Sequence, residues 1–580
     1  LGEKMKFRWS LAPPQPLLAG QLAGALGISP LLAQCLLNRG LGDPAAIDGF
    51  LQPRLKHLSD PFLLPNMAAA VDRLFLARQN REPLVIFGDY DVDGVTSTAL
   101  LLEFLGALGW TVQSYLPHRM EEGYGLSQEA VENCLKKFPV KLFLAVDCGS
   151  NSVQSIAWLK DRGVEVIVLD HHQVSSPAPE ALAIVNPQLL DSTLKHNLAC
   201  LCSVGLAFKL AHALLKRARE AGMSGAAQFD LRPLLDLVAL GTIADLVPLV
   251  GENRILASTG LERLNTTSRP GLVALKQVAR TLGPLGAYEV GFHIAPRLNA
   301  AGRLEAAQEA LQLLLASDLA QATSIASNLD KHNRDRQVIE RAISEEAISL
   351  VRAKFKPESH FVIVEGQLPW HIGVVGIVAS RVLQHFYRPT IIVGGDGVEW
   401  RGSGRSIAGF DLAAALRQCS DLLVRHGGHA MAAGVTLHSS KLDTFRARLN
   451  QLAADSLTAD QMQAPLRLDA EVGLEEMTLD CLTALEALHP TGQGNPNTQF
   501  FARNLGQNRP AQRMGAEKQH LKLWVTDGGP ITHEAVWWGA ASQSLPAGKF
   551  DLAFAPQLNH YNGRTSVQLK ILDWRPSGAS

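Results

Sequence analysis

Residues 83–94 read Pro83-Leu84-Val85-Ile86-Phe87-Gly88-Asp89-Tyr90-Asp91-Val92-Asp93-Gly94, an apolar run that opens directly into three carboxylates at alternate positions. A short unbroken apolar run between helical patterns fits a strand buried on both faces, which is the habit of parallel sheets covered by helices. Two more such runs follow, Leu142 to Val146 and Val164 to Leu169, with helical patterns over Ser97 to Leu108 and up to Arg162. The spacing predicts a doubly wound parallel α/β sheet. Each run also ends in acid: Asp89, Asp91 and Asp93 after the first, Asp147 after the second, Asp170 after the third. Ligands of open α/β sheets sit at the carboxyl ends of the strands, so one sheet edge is expected to collect these side chains.

In an extended segment alternate side chains share a face, which would let Asp89, Asp91 and Asp93 converge. Three like charges at that spacing repel unless a cation neutralises them. Carboxylate oxygens suit hard divalent cations, and added imidazole shifts the preference toward manganese or another transition metal. The competing expectation is a calcium loop of the EF-hand type, but the glutamate it needs at its twelfth position would fall on Leu100. The triad is joined by Val146-Asp147-Cys148-Gly149, by Leu169-Asp170-His171-His172 and by Gly241-Thr242-Ile243-Ala244-Asp245.

With these motifs in this order, the chain resembles the DHH phosphoesterase superfamily and, within it, the RecJ family of single-strand-specific 5′-to-3′ exonucleases. Further blocks carry the resemblance: Arg119 to Ser127, Pro296 to Leu304, Trp370 to Arg381, Gly402 to Ile407 and Gly427 to Gly434. The resemblance implies two divalent cations, manganese or magnesium, held by Asp91, Asp93, Asp147, His171 and Asp245 with Asp147 shared, while Asp89 and His172 serve the phosphate and the attacking water. It also implies substrate contacts from Arg119, Tyr124, Arg297, Asn299, Arg303, His371, Ser403, Arg405, Ser406, Gly428 and His429. Arginine forks match phosphate geometry and glycine-rich turns let main-chain amides approach oxygen. Cys148 departs from relatives that have Asn there, which would alter a hydrogen bond beside the ligands. The implied activity is two-metal hydrolysis of single-stranded DNA to mononucleotides in DNA repair and recombination. Single-strand-binding protein and a RecQ-type helicase are the implied partners, and the enzyme would be a monomer. Two alternatives stand beside it: a DHH phosphodiesterase for short oligonucleotides or cyclic dinucleotides, and a non-catalytic replication scaffold. The former relatives are shorter and lack a C-terminal β-unit; the latter lose metal carboxylates, which here are intact.

The rest of the chain bounds these expectations. At 580 residues, with 47% hydrophobic and 19% charged side chains, it has the composition of a soluble globular protein of about four domains. Its 54 basic and 55 acidic residues exclude a globally basic nucleic-acid coat while leaving room for a local groove. Seven scattered cysteines make no disulfide framework and suit a reducing cytoplasm, and the pair Cys200 and Cys202 lacks zinc spacing. Near the N-terminus, prolines interrupt what would otherwise resemble a secretory signal, and Ser29-Pro30 predicts a capped helix running toward Asn38. Leu231 to Val250 carries too much charge for a membrane span. The expected organisation is a helical preamble (1–75), the DHH catalytic domain (76–317), a connecting helix (318–356), a smaller α/β DHH-associated domain (357–460) and an OB-like β-barrel (461–580). In that last part Arg503, Arg509, Arg513, Lys518, His520, Lys522 and Trp524 interleave charge and rings, the composition of a single-strand groove. Core packing is the competing expectation for Trp537 and Trp538. The glycine-rich stretch Pro490 to Asn495 reads as a linking turn.

Overall fold

Strand Leu84–Gly88 is buried along its whole length and pairs in parallel with Val112–Tyr115 on one side and Leu142–Val146 on the other. Glu165–Leu169 and Ala183–Val185 extend the sheet, again in parallel. Helix Val92–Ala107 and helix Ser203–Glu220 cover one face together with Leu235–Ala244; Gln128–Lys137 and Val153–Asp161 cover the other. Side chains alternate between two cores: Leu84 and Ile86 enter the first, Val85 and Phe87 the second, where Phe87 stacks on Phe143 at 5.4 Å. Burial of each such side chain contributes roughly 1.5–3 kcal/mol. The doubly wound parallel sheet is therefore present.

The computed structural model describes residues 7–118, 121–123, 125–191, 195–281, 283–304, 307–395, 397–541, 543–546 and 548–578; of these, the side chains of Lys195, His196, Arg303 and Leu304 are outside the description. Contacts divide the chain into two units: Ala45–Asp335 with Leu488–Pro496, and Leu1–Pro44 with Arg336–Ala487 and Asn497–Ser580. The first 75 residues are thus shared between units. Ser29 caps helix Pro30–Asn38 by accepting the Leu32 N–H, and strand Arg8–Leu11 pairs with Pro465–Leu468. Helix Leu319–Lys354 runs for 36 residues without a Gly or Pro to interrupt it. Among the described residues no single helix is long and apolar enough to cross a membrane; only the pair Pro16–Leu26 and Pro30–Asn38, bent by 114°, meets the length and composition together.

In the other unit, a five-stranded mixed sheet orders Arg425–Gly428, Ala432–His438, Glu399–Arg405, Thr390–Gly394 and Ile363–Gln367, with helix Val375–Phe386 against it. Strands Phe500–Met514, His520–Thr526, His533–Trp537, Phe550–Tyr561 and Arg564–Pro576 form a barrel, closed because Phe500–Met514 bonds both His520–Thr526 and Phe550–Tyr561. Closure removes the free edges of the sheet.

Candidate active site

Three strand ends supply the site, but not by the route that simple alternation suggests. Asp89 follows strand Leu84–Gly88 directly. Asp91 then caps helix Val92–Ala107, its Oδ1 accepting the N–H groups of Asp93 (3.0 Å) and Gly94 (3.2 Å). Asp93 therefore lies in the first helical turn, and the extended-segment expectation is corrected here: a capping aspartate turns the chain before the third carboxylate. Gly94 is required by close approach, since a Cβ there would stand 2.5 Å from Asp89 O.

Asp147 extends its strand by one residue, its N–H bonded to Leu169 O, and has a left-handed φ of 64°. A non-glycine residue in that region signals a constraint imposed from around it. Asp170 N–H likewise bonds Val185 O, and His171 and His172 follow. His171 Nε2 then stands 3.8 Å from Asp93 Oδ2, 3.5 Å from Asp147 Oδ1 and 3.5 Å from Asp245 Oδ2. Three groups have ligand atoms within 4.8 Å of one another: Asp89, Asp91 and Asp147; Asp93, His171 and Asp245; Asp147, His171 and His172. The structure thus brings all seven expected residues into one cluster, with Asp147 common to two of its groups.

Burial and like charge shape its electrostatics. Burial, then neighbouring carboxylates, push the pKa values of Asp93, Asp147 and Asp245 up. Burial, then the charge of His172, lowers His171 to about 4, which leaves it neutral and ready to ligate. For His172 burial opposes the charged form, but the hydrogen bond and charge of Asp170 prevail and hold it at about 9. Asp170 has the opposite balance: burial raises its pKa, yet His172, His171 and the Ser150 N–H bring it below the usual range. Two buried atoms, His171 Nε2 and Asp245 Oδ2, have no hydrogen-bond partner among the described residues. Buried carboxylate and imidazole atoms gathered this closely fit divalent cations: Asp91 and Asp147 would hold one, and Asp93, Asp147, His171 and Asp245 the other.

Asp170, marked by its motif, and residues that the sequence does not single out support the cluster. Asp170 Oδ1 accepts from the His171 N–H, the His172 N–H and His172 Nδ1 at 2.8 Å. Ser203 donates its hydroxyl to Asp147 Oδ1 (2.8 Å) and its N–H to Asp93 Oδ2 (2.7 Å); the Val204 N–H reaches Asp93 Oδ1 (2.8 Å). Asn186 bonds Ser150 Oγ and His172 O. Asp170 was visible as part of the DHH triplet, whereas nothing about a lone Ser203 or Asn186 marks it out. Cys148 is 5% exposed and belongs to the second core.

The expected substrate contacts fall in different surroundings. Asn299 Oδ1 accepts the Val92 N–H at 3.2 Å, so it braces the metal loop. Arg297 pairs with Asp330 and bonds His293 O. Arg119, Tyr124 and the Arg303 side chain lie outside the described residues. In the other unit, Arg405 donates to Ser403 Oγ (2.9 Å) and Gly404 O (2.8 Å), and both side chains lie near Gly376 in the first turn of helix Val375–Phe386. His371 Nδ1 accepts the Gly373 N–H, Ser406 donates to Phe410 O, and Gly428 and His429 enter an exposed hairpin turn. On the barrel, Arg509 stacks over Trp524 at 4.7 Å and His520 meets Trp538 edge-on at 4.6 Å. Trp537 is core at 3% exposure, but Trp538 is 48% exposed.

Comparison with known proteins places this arrangement. Residues 83–242 match the DHH family N-terminal domain, 359–455 the DHHA1 domain and 468–573 the RecJ OB domain. A single-stranded-DNA-specific exonuclease RecJ of Dickeya dadantii is 38% identical over 543 residues, covering 90% of this chain and 92% of that protein. The protein of that name from Bacillus subtilis is 36% identical over 574 residues, covering 98% and 71%. RecJ of Thermus thermophilus in complex with Mn2+ superposes with a TM-score of 0.84 at 31% identity, covering 99% and 80%; its Mg2+ complex gives 0.78. With a cluster of aspartates and histidines at the sheet edge and relatives of this identity over nearly its whole length, the chain belongs to the RecJ family of the DHH superfamily.

Proposed function

We propose that the chain is a single-stranded-DNA-specific exonuclease that hydrolyses phosphodiester bonds from the 5′ end with two divalent cations, Mn2+ or Mg2+, releasing mononucleotides. The observation that carries this is the pair His171 Nε2 and Asp245 Oδ2, buried, 3.5 Å apart and without hydrogen-bond partners among the described residues, inside a cluster of five aspartates and two histidines. When bound, two cations supply positive charge that activates water and neutralises the entering and leaving oxygens. The chain's own residues do the rest. Ser203 and Asp91's capping bonds orient the carboxylates. Asp170 orients His172 through its Nδ1 and, in the metal-free site, favours its charged form. Asp89 lines the same group as Asp91 and Asp147.

For the substrate contacts we propose Arg119, Tyr124, Arg297, Asn299, Arg303, His371, Ser403, Arg405, Ser406, Gly428 and His429, with Asn299 acting through the metal loop. The barrel, with Arg509 on Trp524 and the exposed Trp538, suits a single strand whose backbone meets charge and whose bases meet rings. The organisation proposed from sequence (1–75, 76–317, 318–356, 357–460, 461–580) goes with this reading. So do a cytoplasmic location, a monomeric state, and single-strand-binding protein and a RecQ-type helicase as partners in repair and recombination. Intact metal positions speak against a scaffold. The test is degradation of 5′-labelled and 3′-labelled single strands with Mn2+ and with Mg2+. Release of labelled mononucleotide first from the 5′-labelled strand is expected; release first from the 3′ end, or cutting without metal, overturns the proposal.

A further inference from the structure

Asp245 closes helix Leu235–Ala244, and the chain leaves it through Leu246 to Val250 before helix Gly251–Thr266 begins. The start of that connection is open to solvent: Leu246 is 71% exposed with a φ of 60°, and its N–H reaches back only to Ile243 O. A firmer hold comes from elsewhere. Asn253, 1% exposed, donates its amide to Pro248 O (3.1 Å) and to Cys200 O, which ties the connection to the loop leading into Ser203. The Leu249 N–H donates to Gln493 O at 2.8 Å. Gly494, at a φ of 72°, lies so close that a Cβ there would stand 2.9 Å from Pro248 Cβ.

Gln493 and Gly494 belong to Leu488–Pro496, a segment far downstream that is part of the catalytic unit although the chain on both sides of it is not. The segment has a defined shape. Asn495, 0% exposed, donates to Leu488 O (2.8 Å) and Pro490 O (2.9 Å), and Gly492 and Asn495 exchange main-chain bonds of 2.8 and 3.2 Å. It is fastened by Arg254, 2% exposed, which donates to Leu488 O and His489 O at 3.0 Å each and to Phe50 O at 2.7 Å. A buried guanidinium whose donors meet carbonyls of distant stretches of chain is costly to disturb, because a charge left without partners cannot be rehydrated in place.

We infer that Leu488–Pro496 is a positioning clamp for Asp245: Arg254 and Asn495 hold the segment, and Gln493 O and Gly494 hold Pro248 to Val250, so that the Asp245 carboxylate stays within reach of His171. Metal ligands must be held to within about 0.5 Å, and only a short connection separates Asp245 from the bonded Leu249. The glycine-rich stretch is then more than a linking turn. The inference rests on the proposed reading of Asp245 as a metal ligand.

The experiment uses the full-length chain. Mn2+ binding is followed by the EPR signal of the free ion, alongside the Mn2+ midpoint of nuclease activity and the KM for a 5′-phosphorylated single strand. Gly494→Ala, on an exposed loop, and Arg254→Lys are expected to weaken Mn2+ binding by about 10-fold, with the activity midpoint moving in step and KM at saturating Mn2+ unchanged. If the wild-type chain binds Mn2+ and folded Gly494→Ala binds it equally well, the clamp is refuted while the metal reading stands. If Gly494→Ala loses stability or raises KM without moving the Mn2+ midpoint, the segment is structural only and the inference also fails. If the wild-type chain itself binds no Mn2+, the metal reading falls and the clamp with it.

Discussion

Ser203 Oγ donates to Asp147 Oδ1 at 2.8 Å, while the N–H of the same residue donates to Asp93 Oδ2 at 2.7 Å. One residue at the start of helix Ser203–Glu220 thus orients carboxylates that come from two different strand ends. Partners of this kind fix which lone pairs remain for a cation, and losing them costs about 10–100-fold in metal affinity. Ser203→Ala should therefore cut activity by about that factor at limiting Mn2+ and recover much of it when Mn2+ is in excess. A Mn2+ titration midpoint equal to that of the wild type would refute this role.

Asp147 is shared by two ligand groups and carries the left-handed backbone of the site. Asn tolerates that backbone well, so Asp147→Asn removes charge without forcing the chain. Nuclease activity should fall by at least about 10²-fold, in line with the loss of a charge-stabilising group at a reacting centre. Metal-free stability should not fall, because one of several buried like charges has gone. Near-normal turnover by the folded variant would remove Asp147 from the metal set.

The outcome shows which features a sequence exposes. Strands Leu84–Gly88 and Leu142–Val146 are legible because both faces are buried and only apolar residues tolerate that; their carboxylates follow at once and mark the edge. The position of Asp93 was legible in its neighbourhood but not in its geometry, since capping by Asp91 turns the chain into a helix where alternation suggests extension. Strands Glu399–Arg405, Arg425–Gly428 and Ala432–His438 were not legible, because glycine-rich sequences have low strand propensity and acquire their conformation only from neighbours in the sheet. Trp537 and Trp538 are adjacent and chemically identical, but Trp537 ends strand His533–Trp537 inside the core while Trp538 opens the turn that follows and is left exposed.

Metal binding and pH are linked in a fixed direction. Asp93, Asp147 and Asp245 have folded-state pKa values raised by burial and by one another. In the unfolded chain an aspartate titrates near about 3.9. Above that value the metal-free folded state binds more protons than the unfolded one, so its stability falls as pH rises toward the raised values. A cation removes this penalty and releases the protons. The rise in Tm on adding Mn2+ should accordingly be larger near about pH 8 than near about pH 6, with proton release visible by calorimetry in buffers of different ionisation enthalpy. A Tm gain independent of pH would contradict these shifts.

Asp170 acts on His172 through a 2.8 Å bond and holds the imidazole pKa at about 9 against the effect of burial. In Asp170→Asn the bonded charge disappears and only Asp245 and Asp89 are left to oppose burial, so the His172 pKa should fall from its value of about 9. NMR titration of 13C-labelled histidine in the metal-free protein reads this directly. A His172 midpoint that stays near 9 in the variant would mean that some other group holds the proton.

On the barrel, Arg503, Arg509, Arg513 and Lys518 are exposed, Arg509 lies over Trp524, and Trp538 is open to solvent. Each phosphate neutralised on a single strand contributes about 0.7 to the slope of log affinity against log salt, whereas a ring that stacks on a base contributes affinity of about 1–3 kcal/mol with no salt dependence. The two kinds of variant should therefore separate. Replacing Arg509, Arg513 and Lys518 together by Gln should weaken binding to long single strands and lower the slope by up to about 2, one contact per residue. Trp538→Ala should weaken binding at every salt concentration and leave the slope in place. Neither change touches the sheet edge, so cleavage of a strand once bound should proceed at the wild-type rate in single-turnover measurements. If the triple variant binds long strands as tightly as the wild type with the same slope, these charges do not meet the strand's phosphates, and the barrel's basic face is a protein-binding surface instead.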